Sequence, residues 1–343
     1  MTNFPHLTAA VVQHPWAIMP DRLQVIAEVI ERRVEGYRLS REEIAALKGE
    51  RQPNGVATYF SLDTQSGLIT PQAAANGPNS NAGTVIAVIS VFGIIAQHAS
   101  QVDDISGPGG TSTERVSDSL KKALADPSVS SIVLNIDSPG GNVSGVQALA
   151  NEIYKARDQK RIVAQVNSLA GSAAYWIASS ASEIVVTPGG LVGSIGVYTL
   201  HQDVSKAVDK AGVKFTFISA GKYKVEGNAF EPLSSEAAKA SQAMIDSYYG
   251  NFTSDVARGR GVPVDQVRNG FGQGRVVKDN DAVKAKMADR VGTLDATIKG
   301  LMARKPGQGG RTASALATSS NAEAQDEFRR RRQALRVLGV SSR

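Results

Sequence analysis

Ser131-Ile-Val-Leu-Asn-Ile-Asp-Ser-Pro-Gly-Gly141 is an apolar run that ends in a turn free of large side chains. Bounded in this way, it reads as a buried strand. Its neighbours fix the class. Val85 to Val91 is a second apolar, β-branched run, and Glu114 to Ala125 has helical character between the two. Downstream, Val146 to Arg157 is amphipathic, Ile162 to Val166 is a third run, and small residues enter a helix near Ser172. Glu183 to Val186, Ser194 to Tyr198 and Lys214 to Ile218 are further strand candidates. Strands separated by helices need crossovers, so the expected fold is α/β with a largely parallel, buried sheet. No internal repeat of solenoid length is visible.

The flanks differ from this body. From Asp21 to Tyr37, Leu23, Ile26, Val29, Ile30 and Val34 fall at helical spacing, and Ser40-Arg-Glu-Glu43 has the spacing of a capping box. Gln72 to Gly83 is small and polar, as expected of an exposed linker. The expected organisation is a helical segment and linker over 1–80, the α/β domain over 81–300, and a flexible basic tail over 301–343. The tail opens on Lys305-Pro-Gly-Gln-Gly-Gly-Arg311. A short helix is expected within Ala322 to Gly339, where Glu323, Asp326 and Glu327 precede Arg329 to Arg332, the order that suits a helix dipole.

Of the 343 residues, 38 are basic and 32 acidic, giving a net charge of +6. The tail alone holds nine Lys/Arg against three acidic residues, and the first 300 residues balance at 29 of each. A neutral body does not suit a phosphate-coating domain, which spreads basic residues over a folded face, so nucleic acid is not the expected partner. Cysteine is absent and there are four histidines, which excludes a thiol nucleophile and thiolate metal sites; no metal or cofactor is expected. The longest apolar run, Val85 to Ala96, is too short to span a bilayer. No basic residue precedes Arg22, so the start lacks the pattern of a secretory signal, and a cytoplasmic protein without a membrane anchor is expected.

Candidate chemistry lies in four places. Gly140 and Gly141 free the backbone to present N–H groups to a carbonyl, but no Gly-Lys-Ser/Thr follows, so this is not a phosphate loop. Ser172, in Ser168-Leu-Ala-Gly-Ser-Ala-Ala-Tyr-Trp-Ile-Ala178, sits where a strand meets a helix among small residues. There a hydroxyl can be exposed while the next N–H favours an oxyanion. Val192-Gly-Ser-Ile-Gly-Val197 and Ser219-Ala-Gly-Lys-Tyr-Lys-Val-Glu-Gly-Asn-Ala-Phe-Glu-Pro232 complete the set. Lys222 and Lys224 alternate on an extended segment, so spacing alone does not choose between them.

These four motifs, in this order, resemble the signal-peptide-peptidase family of serine–lysine peptidases, within the Clp protease/crotonase-like superfamily. The likeness runs from about Val85 to Leu294 and includes Tyr249 to Phe252 and Val256-Ala-Arg-Gly-Arg-Gly261. It implies a ββα superhelix, Ser172 as nucleophile, Lys224 as general base and Ser194 as the residue holding the lysine amine. Oxyanion donors would be the N–H groups of Gly141 and Ala173. Ala173 and Ala174 stand where the family's pattern has glycines. The chemistry needs these types, because a serine hydroxyl is a weak nucleophile and a lysine amine serves as base only where burial disfavours its charge. The competing base is His201, in His201-Gln-Asp203, since related Clp proteases use a Ser/His/Asp set.

The resemblance further implies a polypeptide substrate and a homo-oligomer, as relatives form rings with sites between subunits. Pro15-Trp-Ala-Ile-Met-Pro20 and the basic tail resemble the phage and prophage branch, which supplies head-maturation proteases acting on scaffold, portal or coat proteins. The tail would then dock on a scaffold or portal protein inside an assembling procapsid. Other expectations are a cytoplasmic peptidase degrading signal peptides, a crotonase-like acyl-CoA enzyme, or an inert assembly protein.

Overall fold

The computed structural model describes residues 15–20, 54–62, 69–72, 85–98 and 110–303. Their strands are β1 (Trp16–Ile18), β2 (Ala57–Leu62), β3 (Ile69–Gln72), β4 (Val85–Ala96), β5 (Thr111–Ser112), β6 (Val129–Asn142), β7 (Arg161–Gly171), β8 (Glu183–Val186), β9 (Leu191–Gly193), β10 (Val276–Lys278) and β11 (Arg290–Val291). The helices are α1 (Thr113–Ala125), α2 (Val146–Ala156), α3 (Ala173–Ser179), α4 (Ser205–Lys210), α5 (Ser235–Arg260), α6 (Val264–Gly270), α7 (Asp279–Lys284) and α8 (Leu294–Met302). Among them, none is long and apolar enough to cross a membrane.

All described strands join one sheet, whose main path runs β10-β9-β7-β6-β4-β2-β3. The central pairs β4–β6 and β6–β7 are parallel, as the crossovers through α1 and α2 demand. The fold is therefore α/β with a mostly parallel sheet. β4 shows why its residues are nearly all apolar. Val85, Ala87 and Ile89 pack on the face carrying α1, α2 and α3, while Ile86 and Val88 alternate to the other face against Ile298, Leu301 and Met302 of α8.

β7 serves two neighbours in succession. Val163 to Val166 pair with β8, and Leu169 to Gly171 pair with β9. The second half of the strand thus leaves the first alignment and carries Gly171 towards β9, which sets the direction in which the chain enters α3. β9 is closed by β10, and Ser194 N–H donates to the Arg275 carbonyl (2.9 Å), so the chain leaves and returns at one point.

Three expectations change. The strand expected at Ser194 to Tyr198 lies earlier, as β9, and of those five residues only Tyr198 is bridged, to Trp16. The first 80 residues supply β1, β2 and β3 to the sheet, with β2 antiparallel to β4. β1, at three residues, is shorter than the roughly four to eight over which alternation becomes legible. The helical patterns between Asp21 and Glu43, residues 73–83 of the expected linker and residues 304–343 of the expected tail lie outside the described residues, while Gln72 ends β3 and Leu301 and Met302 end α8. Lys214 to Ile218, which alternates like a strand, pairs with nothing named as a strand and is exposed, Ile218 almost wholly so at 98%.

α5 crosses α3 with the two backbones in contact. A side-chain carbon on Gly259 would collide with the carbonyl of Ser179. Gly259→Ala raises helix propensity by about 1 kcal/mol. The clash is with backbone, which cannot rotate away, so we expect a net loss of roughly 1–3 kcal/mol in urea unfolding.

Candidate active site

β7 ends at Gly171 and α3 begins at Ala173, leaving Ser172 alone at the corner with φ 53° and ψ −117°. Few non-glycine residues occupy such a conformation, and holding one there costs about 1–3 kcal/mol. The surroundings impose it. Ser172 N–H donates to the Gly193 carbonyl (2.7 Å), and its own carbonyl accepts from Trp176 N–H (3.0 Å). All seven residues of α3 are buried, with Trp176 stacked on Phe252 at 4.5 Å and its Nε1 donating to Asp255 (3.0 Å). The hydroxyl is buried too, 1% exposed, and donates to the Gly196 carbonyl (3.3 Å).

The end of β6 lies beside this corner, with Ser138 opposite Ala170 of β7. The Ser138 hydroxyl donates to the Gly93 carbonyl (2.6 Å) and accepts from Gly140 N–H (3.1 Å), which fixes the turn. Gly140 has φ 102°, and a side-chain carbon there would lie 3.0 Å from Ser172 Cβ and collide with the Ala17 carbonyl. A carbon on Gly141 would overlap the backbone of Ile95. Gly140 is thus required for the strand end to approach the serine, and Gly141 for it to lie against β4. Ala173, the first residue of α3, carries an N–H that no carbonyl of its own helix can accept.

Ser194 repeats the φ of Ser172 at 53°, and is 8% exposed. One hydrogen bond separates the two serines, because Gly193, which accepts from Ser172, immediately precedes Ser194. Ser172, Ser194, Gly141 and Ala173 therefore converge on one region.

Lys224 does not join them within the chain. It lies in a run of turns over 222–227, exposed, with its backbone N–H donating to the Gly221 carbonyl (3.1 Å) and its side chain without a hydrogen bond or ion pair among the described residues. Lys222 is engaged elsewhere, on Tyr223 Oη (2.6 Å) and Glu236 (3.4 Å). His201 Nε2 lies 3.2 Å from the Asn228 carbonyl, and hydrogen bonds from Ser205 hold the Asp203 carboxyl below its usual range. Neither His201 nor Asp203 shares a hydrogen bond with Ser172.

Two participants were not read from the sequence. The Gly196 carbonyl belongs to the Gly193-Ser-Ile-Gly196 motif, whose second glycine was the available signal. The other is Trp16 to Met19: Met19 N–H donates to the Pro139 carbonyl (3.1 Å), and a side-chain carbon on Gly171 would be 3.2 Å from the Met19 sulfur.

Residues 154–306 match Peptidase family S49. The head-tail preconnector protein GP5 of Enterobacteria phage P21 is 35% identical over 206 residues, 60% of this chain and 40% of that protein. Capsid assembly protease C of Escherichia phage lambda is 32% identical, over 62% of this chain and 47% of its own length. Protease 4 of Haemophilus influenzae is 29% identical, over 64% of this chain and 34% of that protein. The chain thus spans less than half the length of each of these three relatives. Residues 154–306, less than half of the chain, are thus similar to peptidase family S49.

Proposed function

We propose that the chain is a serine endopeptidase with Ser172 as nucleophile and Lys224 as base, acting on phage capsid-assembly proteins. The observation that carries the first part is Ser172 itself, held at positive φ on a strand-to-helix corner beside Gly140 and Gly141. Strain of this kind aims a hydroxyl at an incoming carbonyl. Ser172 Oγ attacks the peptide carbonyl carbon and gives its proton to the lysine amine. The oxyanion is met by the N–H groups of Gly141 and Ala173, and on collapse the lysine returns its proton to the leaving nitrogen, so that the amine departs and an acyl-enzyme is left for water to hydrolyse. Ser194 holds the lysine amine.

Since Lys224 stands in solvent on its own chain, the base reaches Ser172 from a second copy in a homo-oligomer. The exposed apolar residues Leu200, Phe215, Phe217, Ile218 and Tyr223, all between Ser194 and Arg275 with Lys224, support this, because large apolar side chains gathered in one exposed segment are the kind an interface covers. The capsid role is supported by the two phage relatives. It places the enzyme in the assembling procapsid, with residues 301–343 contacting scaffold or portal protein. The alternative is a cytoplasmic peptidase degrading signal peptides, favoured by the likeness to Protease 4.

A fluorophosphonate probe tests the chemistry. Wild type and His201→Ala are expected to be labelled alike, and Ser172→Ala not at all. Equal labelling of Ser172→Ala would remove the serine assignment. Incubation with scaffold, portal and coat proteins against signal peptides separates the two substrate readings by which set is cut.

A further inference from the structure

We propose that residues 15–19 occupy the groove in which a substrate peptide lies, and screen Ser172 until an extended peptide displaces them. This rests on the reading of Ser172 as nucleophile. β1 runs antiparallel to the end of β6, with Ile18 opposite Gly140, Ala17 opposite Gly141 and Trp16 opposite Asn142. Val143 N–H donates to the Pro15 carbonyl (3.4 Å) and Met19 N–H to the Pro139 carbonyl (3.1 Å). Hydrogen-bonded pairs in an antiparallel ladder alternate, so they are 15/143, 17/141 and 19/139. The N–H of Gly141, proposed as an oxyanion donor, therefore faces the carbonyl of Ala17. That is where the carbonyl of a bound peptide would point.

The other edge of the segment is also taken. Trp16 N–H donates to the Tyr198 carbonyl (2.8 Å) and Tyr198 N–H returns to Trp16 (3.0 Å). The end of β6 and the segment at Tyr198 thus stand two strand spacings apart, about 9–10 Å, with room for one extended chain between them. Any peptide reaching Ser172 with its backbone paired has to take these edges, and the protein's own residues hold both. Met19 lies over Gly171, the residue before Ser172, and Ser172 itself is 1% exposed.

The segment is built to be replaceable. Pro15 and Pro20 bracket it, and neither can donate to a ladder, which limits the pairing to a few residues. Trp16 and Ile18 make a small cluster of their own with Ile94 and Tyr198, and Ala17 alone enters the main core. By its example the groove takes an extended peptide with a small residue opposite Gly141, flanked by large apolar side chains on the opposite face.

Locking the segment in place tests this in the full chain. Residues 16 and 142 form a non-hydrogen-bonded pair with Cα atoms about 4.5 Å apart, within disulfide reach. The chain has no other cysteine, so Trp16→Cys/Asn142→Cys contains a single possible bridge. Labelling of Ser172 by a fluorophosphonate carrying a peptidyl arm is expected to be at least tenfold slower in the oxidised double variant than after reduction. Ala17→Pro, which removes the N–H facing Gly141, is expected to label faster than wild type. Equal rates in all forms, with wild type labelled, would overturn the proposal and leave the Ser172 assignment standing. Failure of the bridge to form would overturn the pairing. If no form is labelled, both the serine assignment and the proposal built on it fall.

Discussion

Lys224→Ala is expected to lower peptide turnover by between about a hundredfold and ten-thousandfold, the contribution of a positioned general base. The variant should still fold, because Lys224 is exposed and its side chain makes no hydrogen bond or ion pair among the described residues. The informative result comes from mixing. If Ser172 and Lys224 of one chain served one site, co-assembled Ser172→Ala and Lys224→Ala chains would have no complete site. In a head-to-tail ring each site takes its serine from one copy and its lysine from the next, so random co-assembly restores about a quarter of the sites. Activity in that mixture, measured against each variant alone, decides between the two arrangements. An inactive mixture together with an inactive Lys224→Ala would return the dyad to a single chain, and full activity of Lys224→Ala would remove the lysine from the mechanism.

The largest effect on stability is expected at Trp176. It is fully buried, stacked on Phe252 with an interplanar angle of 6°, and bonded to Asp255. Truncation to alanine should cost about 3–5 kcal/mol, mostly as a cavity between α3 and α5. Asp255 keeps Arg258 at 3.0 Å, so it is not left as an isolated buried charge. Trp176→Phe retains much of the stack and loses the hydrogen bond, at about 1–3 kcal/mol. Urea unfolding should rank wild type above Trp176→Phe above Trp176→Ala. With total stabilities near 5–15 kcal/mol, the alanine variant removes a large share. Equal midpoints would mean that the helix behind Ser172 is held by something other than this stack.

The parts of the fold legible in the sequence are those whose determinants are local. β4, β6 and β7 are apolar runs because both of their faces are covered, and α1 and α2 follow from amphipathic spacing. Ser172 was legible because the small residues that let it turn the corner are its immediate neighbours. β1 was not, because its partners are Asn142 and Tyr198, more than a hundred residues away, and three residues carry no period. Lys214 to Ile218 shows the reverse failure. Its alternation is genuine, but a strand needs an edge to pair with, and it pairs with none among the described residues.

The meeting of β9 and β10 has a consequence for length. The chain departs at Ser194 and is back beside it at Arg275, and within this excursion Val204 N–H and the Ala229 carbonyl close a second, narrower neck (2.8 Å). Residues added or removed beyond that neck alter how far the lysine-bearing arm extends and leave the bonds around Ser172 where they are. Doubling such a loop costs only about 0.6 kcal/mol in closure entropy. Reach and bond-making geometry can therefore be varied independently, the first by splicing near the open Gly212 turn, the second by changes in the strands.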